Sequence, residues 1–189
     1  LMPCHLPAAR IDAIDASAAL AMPGVIDVVT GAELAAAIDP LMNGLNTPNV
    51  RRYPLAVGQV RYAGEWVCAV IAESRNIAED AIEKIRLETT ALPFVLDPEQ
   101  ALLDDSPQVH PDHHSNVLLD KKFVWGPVDD DFAAADYQLS FCVTWGRNST
   151  VPIETFGVVA EWSAWEQMLD IRASVQMPKY ADQIARALG

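Results

Sequence analysis

The alternation of apolar and polar positions in the first half of the chain predicts short strands that alternate with short helices. Residues 10–15 and the β-branched run at residues 25–29 are expected to be extended. Residues 66–72 form a continuous apolar run, which is typical of a buried strand. The stretch after them has apolar residues at three- and four-residue spacing, so it is predicted to be a helix with one buried face. This alternation over residues 10–103 indicates one α/β or α+β unit.

Two polar pairs in this half are predicted to open helices. Thr30 is followed by Glu33 at the spacing of a capping box, in which each side chain bonds the other residue's backbone. Asn76 and Glu79 repeat that spacing, so Asn76 is expected to cap the amphipathic helix. Between these helices, residues 40–58 are rich in proline and glycine and predict a long loop, a kind of segment that is often functional.

The pattern changes after Asp104. Residues 104–116 are poor in apolar side chains and contain two prolines, three histidines and three aspartates, so this region is predicted to form a linker. Beyond them apolar and polar residues alternate with a period of two, which indicates strands with one buried face. Strands are expected at residues 139–145, 158–162 and 169–175, and a helix at residues 179–188. A second domain is therefore expected to begin near residue 120.

Composition narrows the class of protein. The chain has 189 residues, of which 51% are hydrophobic, and no apolar run approaches the roughly 18 residues that a membrane span needs. The sequence therefore predicts a soluble protein without a membrane segment. The net charge is −13 and no cluster of Lys and Arg is present, which argues against binding to the polyanions DNA and RNA.

Cysteine usage indicates a reducing compartment and a cytoplasmic protein. Cys4, Cys68 and Cys142 are far apart, odd in number and form no CxxC pair. They are expected to be three buried small hydrophobic side chains. An iron–sulfur cluster needs more thiolates than these, so any such cluster would lie on another chain.

Seven segments of the chain, in order, carry a family resemblance. They read ARIDAIDASAALAMPGVIDVVTGAEL, PLAVGQVRYAGEWVCAVIAESRNIAEDAIEKIRLE, ALPFVLDPEQAL, VHPDHHSNV, DDDFAAADY, VPIETFGVVAEW and SVQMPKYADQIARALG. Each alone is weakly specific, but together they cover about residues 10 to 189. In this order they resemble the front part of the large, molybdenum-carrying subunit of the xanthine dehydrogenase and aldehyde oxidase family.

This resemblance implies an α+β fold class: an α/β hammerhead domain followed by an incomplete mixed α/β segment. Residues 1–105 would form the hammerhead domain, residues 106–119 a linker, and residues 120–189 the first segment of the molybdopterin-binding domain. The linker boundary agrees with the change of pattern near Asp104.

The resemblance also implies a function and a set of cofactors. The family hydroxylates or dehydrogenates small aldehydes and N-heterocycles with water as the oxygen source. Molybdopterin, expected in its cytosine dinucleotide form, would belong to the complete enzyme, with iron–sulfur clusters and FAD on companion chains. The expected partners are the remaining part of the molybdenum subunit, an iron–sulfur subunit, an FAD subunit and a small-molecule substrate.

The family's glycine-rich cofactor loop and its catalytic glutamate have no counterpart in this sequence. The isolated chain is therefore expected to bind no cofactor and to be inactive, which leaves its status as an enzyme open. The alternative hypothesis is a non-catalytic interaction or assembly module that docks on a partner subunit.

Two residues are candidates for the cofactor site by resemblance. Gln176 matches a glutamine that hydrogen-bonds an oxo ligand of molybdenum, and a neutral amide suits that role because it adds no charge. The residue before it is often Thr in the family, whereas here it is Val175. Glu154 matches a recurrent carboxylate after a proline and is expected to order the cofactor pocket. The alternative for Gln176 is a strand-end glutamine whose side chain hydrogen-bonds the backbone. The alternative for Glu154 is a structural ion pair.

Three histidines near the linker suggest another kind of site. His110, His113 and His114 have the spacing H-x-x-H-H, which could supply metal ligands. Adjacent ligands in an acidic loop rarely close a tetrahedral shell, and a fourth ligand at useful spacing is missing. These residues are therefore interpreted as part of a solvated linker. The sequence also contains no GxSxG elbow, P-loop or GxGxxG motif.

Overall fold

The computed structural model of the protein describes residues 1–41, 50–146, 152–177 and 179–189. Contacts within the chain define two units: Leu1–Asp120 together with Tyr180–Gly189, and Lys121–Lys179. Across these described stretches, no helix combines the length and the apolar character needed to cross a lipid bilayer. Residues 42–49 of the predicted loop at residues 40–58 lie outside the described residues.

Six strands of the first unit form two three-stranded sheets in the described part of the chain. They are β1 (Met2–Cys4), β2 (Ala9–Asp15), β3 (Val25–Thr30), β4 (Gln59–Val60), β5 (Glu65–Ala72) and β6 (Arg86–Ala91). One sheet has the order β1-β5-β3 and the other β4-β2-β6, and all neighbours are antiparallel. The predicted strands at residues 10–15, 25–29 and 66–72 are thereby confirmed, and the fold is α+β.

Two of the helices in the described part of the first unit begin at polar caps. The helices of this unit are α1 (Ser17–Leu20), α2 (Gly31–Ala37), α3 (Arg75–Ile82) and α5 (Tyr180–Leu188). The predicted capping box is confirmed: Thr30 Oγ1 accepts from the Glu33 N–H at 3.3 Å, and Glu33 Oε2 accepts from the Thr30 N–H at 2.8 Å.

The predicted cap of α3 is wrong. Ser74, in extended backbone conformation, accepts the Ile77 N–H at 3.3 Å, so the helix begins before Asn76. Glu79 forms an ion pair with Arg75 at 2.7 Å instead of closing a capping box. The sequence contains two capping residues, Ser74 and Asn76, two positions apart, and the extended backbone at Ser74 makes that residue the cap.

The core of the first unit lies between its sheets and helices. Its largest fully buried side chains are Val60, Val67 and Cys68, and α3 contributes the buried Ala81. Because α3 turns its apolar face inward, the predicted amphipathic helix is confirmed. The prediction of three buried thiols is wrong for Cys142, which is exposed, whereas Cys4 and Cys68 are buried.

The predicted linker is held together by one amide. Asn116 Oδ1 accepts from the Val109 N–H at 3.0 Å, and its Nδ2 donates to the carbonyl oxygens of Ala101 and Pro107, each at 3.0 Å. Short 3-10 turns at Gln100–Leu102 and Pro111–His113 lie on either side of Pro107. This segment is therefore folded against itself.

The second unit contains α4 (Val128–Ala133) and a hairpin of β7 (Val158–Ser163) and β8 (Met168–Ala173) among its described residues. The predicted strands at residues 158–162 and 169–175 are confirmed in their main part. The predicted strand at residues 139–145 is wrong, because no described strand lies beside it to accept its backbone hydrogen bonds.

Candidate functional site

The β7–β8 hairpin brings the segments of both candidate site residues to one end. The strands pair antiparallel from Val158 opposite Ala173 to Ser163 opposite Met168. One step beyond this ladder, the Ser174 N–H donates to the Gly157 carbonyl oxygen at 3.1 Å, and the Gly157 N–H donates to Ser174 Oγ at 3.1 Å. This pair closes the end of the hairpin that is opposite its turn.

Gln176 follows this closing pair by two residues. The Val175 N–H donates to the Ala173 carbonyl oxygen at 3.1 Å, so the backbone turns out of the strand before it reaches Gln176. The Gln176 side chain is exposed and forms no hydrogen bond with any residue that the structure describes. Its amide N–H and carbonyl groups are therefore available to a ligand. Pro178, which comes next but one, lies outside the described residues.

Glu154 lies on the other strand's side of the same hairpin end, three residues before Gly157. Its side chain is exposed, and within the described parts of the chain it forms neither a hydrogen bond nor an ion pair. The hairpin thus holds Glu154 and Gln176 on two segments that leave the same end, without a direct contact between their side chains. The structural ion pair that was the alternative for Glu154 is absent among the described residues.

The structure adds two residues, Ser174 and Gly157, to this site. Neither residue was a candidate from the sequence, because their role depends on the pairing of two strands. The period-two pattern places Ser174 on the polar side of its strand but does not identify the partner. The pair positions the chain immediately before Gln176 through both backbone and side chain.

The three histidines lie elsewhere, in the first unit. Nε2 of His113 lies 3.1 Å from the Val117 carbonyl oxygen. Burial lowers the pKa of His110, and the nearby guanidinium groups of Arg61 and Arg52 lower it further. Among the described residues, no three or more His, Cys, Asp or Glu side chains are arranged to hold a metal ion.

The candidate groups at the hairpin end are the amide of Gln176 and the carboxylate of Glu154. A free neutral amide can donate to an oxygen and accept from a hydroxyl or amine, and a nearby carboxylate can accept from donors only. Neither group is a thiolate or an imidazole, which are the usual protein ligands of transition metals. The arrangement therefore suits hydrogen bonding to a bound group rather than direct coordination of a metal.

Two family models match the chain. The model described as "Aldehyde oxidase and xanthine dehydrogenase, a/b hammerhead domain" matches residues 3–93. The model described as "Molybdopterin cofactor-binding domain" matches residues 109–189, which include both candidate residues.

Curated relatives and solved structures agree with these matches. The chain is 36% identical over 175 residues to the nicotine 6-hydroxylase large subunit of Paenarthrobacter nicotinovorans, which covers 91% of this chain and 21% of that protein. It is 29% identical over 177 residues to the aldehyde oxidase of Homo sapiens, covering 93% of this chain and 12% of that one. Quinoline 2-oxidoreductase from Pseudomonas putida 86 superposes with a TM-score of 0.84 and 30% identity, over 97% of this chain and 24% of its own. The chain thus spans about a fifth of the length of the first of these relatives.

Proposed function

Because the chain belongs to the aldehyde oxidase and xanthine dehydrogenase family, we propose that it is the N-terminal part of a molybdenum-cofactor subunit that oxidises a small aldehyde or N-heterocycle with water as the oxygen source. Similar proteins include aldehyde oxidase, a nicotine hydroxylase subunit and a molybdenum-containing CO dehydrogenase. The observation that carries the proposal is the free amide of Gln176, in the region matched by the molybdopterin-binding model.

In this proposal molybdopterin, when bound, supplies the two-electron redox chemistry of the hydroxylation. Gln176 donates its amide N–H to an oxygen of the cofactor and leaves the charge of the redox centre unchanged. Glu154 orders the pocket by accepting hydrogen bonds from neighbouring donors. Ser174 and Gly157 fix the direction in which the chain leaves β8 and so orient Gln176.

The remaining parts of the assignment are proposals on the same basis. Residues 1–105 would act as the hammerhead domain, residues 106–119 as the linker, and residues 120–189 as the start of the cofactor domain. The cofactor would be the cytosine dinucleotide form, and iron–sulfur and FAD subunits in the cytoplasm would carry electrons away. The nicotine 6-hydroxylase large subunit and the gamma subunit of a 6-hydroxypseudooxynicotine dehydrogenase complex are subunits of larger assemblies, which supports partner chains in general.

A chimera tests the proposed function. Residues 1–189 replace the matching part of the nicotine 6-hydroxylase large subunit, and molybdenum content and turnover of nicotine are measured. We expect about one molybdenum per chimera, and Gln176→Ala should lower kcat about 10- to 100-fold while molybdenum content is retained. Gln176→Glu should be as damaging, because a carboxylate offers no amide donor.

The matched control is Gln167→Asn, an exposed amide in the turn at the opposite end of the same hairpin. It should leave turnover unchanged, since Asn tolerates the left-handed backbone found there, where φ is 53°. A chimera without molybdenum would refute the proposed function. Wild-type turnover in Gln176→Ala would remove this residue from the site.

A second candidate function, a docking module without catalysis, is favoured by one observation. Not one described residue of the second unit is buried. Binding of the chain to partner subunits, with a molybdenum-free chimera, would support this alternative.

A further inference from the structure

Arg61 has a buried hydrogen-bond donor without an acceptor. This residue directly follows β4, and its Nη1 donates to the Gln59 carbonyl oxygen at 3.2 Å. Its Nε is buried and has no hydrogen-bond partner in the part of the chain that the structure describes. A buried donor without an acceptor is unfavourable, because it has lost its bond to water and gained none in return. The guanidinium of Arg61 therefore calls for a further acceptor.

Two more basic side chains approach from other segments of the first unit. The backbone of Arg52 is anchored by the Leu41 N–H, which donates to the Arg52 carbonyl oxygen at 2.8 Å. His110 directly precedes the 3-10 turn of Pro111–His113. The guanidinium groups of Arg52 and Arg61 both lie within electrostatic reach of the His110 imidazole. The cluster thus joins three segments that are far apart in the sequence.

The surroundings of His110 are positive although the chain as a whole is negative. The chain has 13 basic and 26 acidic residues and a net charge of −13. Burial lowers the pKa of His110, and the charges of Arg61, Arg52 and His113 lower it further. Cations that oppose protonation of an imidazole also attract an anion to the same place.

Carboxylates do not form ion pairs with this cluster among the described residues. The ion pairs found there include neither Arg52 nor Arg61 nor His110. The Glu65 carboxyl lies near Arg61, but its Oε2 accepts from the backbone N–H of Arg61 and not from the guanidinium. Burial also raises the pKa of Glu65, which opposes a full negative charge on it. The guanidinium groups therefore remain available to an external anion.

The donors of the cluster suit a tetrahedral oxyanion. A guanidinium donates two parallel N–H bonds to phosphate or carboxylate, and Arg is enriched where such groups are recognised. In Arg61 the Nε and Nη2 groups share one edge, whereas Nη1 is engaged by Gln59. The neutral imidazole of His110 can donate one more bond. A planar carboxylate has two oxygens, whereas a phosphate group has enough oxygens to accept from all three side chains.

We propose that Arg52, Arg61 and His110 form a binding site for a phosphate-type oxyanion in the first unit. Arg61 binds the anion through its Nε–Nη2 edge, Arg52 adds a second positive charge from its exposed position, and His110 donates from the linker. The bound anion links the linker to the end of β4. The inference is independent of the proposed function, because these residues lie outside the hairpin that carries Gln176.

Titration of inorganic phosphate into the full 189-residue chain tests this site. Sodium chloride keeps the ionic strength constant, and binding is followed by isothermal titration calorimetry and by the NMR signals of the His110 ring. We expect saturable binding with a Kd on the order of 1 mM. Saturation should raise the pKa of His110, because a neighbouring anion stabilises the imidazolium. A parallel titration with methyl phosphate shows whether the site prefers the free ion or a phosphate group on a larger molecule.

Three variants separate this site from general attraction by charge. Arg52→Gln removes a charge at an exposed position and should raise the Kd for phosphate about 10-fold. Arg61→Lys keeps the charge but removes the two-donor edge, and it should raise the Kd by a similar factor. The matched control is Arg51→Gln, which removes the same charge from the exposed neighbour of Arg52 and should change the Kd less than about twofold. Circular dichroism verifies that each variant is folded.

Sulfate isolates the contribution of His110, because its own charge is constant at neutral and mildly acidic pH. Sulfate binding should strengthen as the pH falls through the pKa of His110, and His110→Gln should abolish this pH dependence. The inference is overturned if phosphate shows no saturable binding at constant ionic strength, or if Arg51→Gln weakens binding as much as Arg52→Gln. A His110 pKa that phosphate leaves unchanged would overturn it as well.

Discussion

The carbonyl oxygen of Ala56 occupies the place where a side chain at Gly31 would begin. A Cβ built on Gly31 would lie 1.9 Å from that oxygen. The Ala56 N–H also donates to the Trp66 carbonyl oxygen at 2.7 Å, so the segment is tied to β5 and cannot move away freely. The start of α2 therefore packs directly on backbone.

Gly31→Ala should lower the free energy of unfolding of the first unit by about 3 kcal/mol, the upper end of the range for overpacking. Urea unfolding, followed by far-UV circular dichroism, measures the change. Gly157→Ala is the control, because a Cβ there would meet no atom within 4 Å. Equal stability of the Gly31 variant and the wild type would show that residues 55–56 can yield.

The cap of α3 gives a paired prediction at neighbouring positions. Ser74→Ala should cost about 1 kcal/mol, because the Ile77 N–H loses its acceptor. Asn76→Ala should cost nothing or stabilise slightly, since Ala has the higher helix propensity. Thermal unfolding of the two variants decides which residue caps the helix, and a larger loss in the Asn76 variant would contradict the structure.

Asn116 should control the stability of the linker. Asn116→Ala removes three hydrogen bonds and leaves partly buried carbonyl groups of Ala101 and Pro107 without their donor. We expect a loss of about 1–3 kcal/mol in the stability of this segment, measured by amide hydrogen exchange across residues 101–117. Ser115→Ala, which removes one exposed bond to the Val117 N–H, should have a much smaller effect.

Glu65 should make stability fall as the pH rises. Burial raises the pKa of Glu65 above its ordinary value of 4.5, although the Arg61 N–H donates to its Oε2 at 2.5 Å. A carboxyl with a raised pKa in the folded state contributes stability below its unfolded pKa, and this contribution is lost as the pH rises through the raised value. Glu65→Gln keeps an acceptor for the Arg61 N–H but cannot ionise, so it should gain stability relative to the wild type as the pH rises above about 4.5.

Glu33→Gln is the control with the opposite sign. The backbone and side chain of Thr30 hydrogen-bond Glu33 and lower its pKa. This carboxylate therefore stabilises the fold above its unfolded pKa, and the contribution disappears as the pH falls. The Glu33 variant should lose stability relative to the wild type over the range in which the Glu65 variant gains. Parallel pH profiles of the two variants would contradict both assignments.

Local sequence patterns predicted those features that depend on neighbours in the chain. The capping box of Thr30 and Glu33 and the buried face of α3 arise from spacings of three and four residues, so the sequence contains them. A strand also needs a partner, and the pattern at residues 139–145 records which side chains alternate but not whether another strand lies beside them. The position of Gln176 after a strand was predictable, because it depends on the local pattern alone. The Ser174–Gly157 pair was not, because it depends on which two strands lie side by side.

The C-terminal helix has a consequence for the order in which the molecule folds. Helix α5 belongs to the first unit, where the Asp39 N–H donates to the carbonyl oxygen of the buried Ala187 at 2.8 Å. During translation α5 emerges about 60 residues after Asp120, a delay of roughly 3–12 s at 5–20 residues per second. Until then the first unit lacks one of its packing elements, while exposed apolar side chains of the second unit, such as Trp125 and Phe141, are already outside the ribosome. Nascent chains should therefore be most susceptible to chaperone binding and aggregation during this interval.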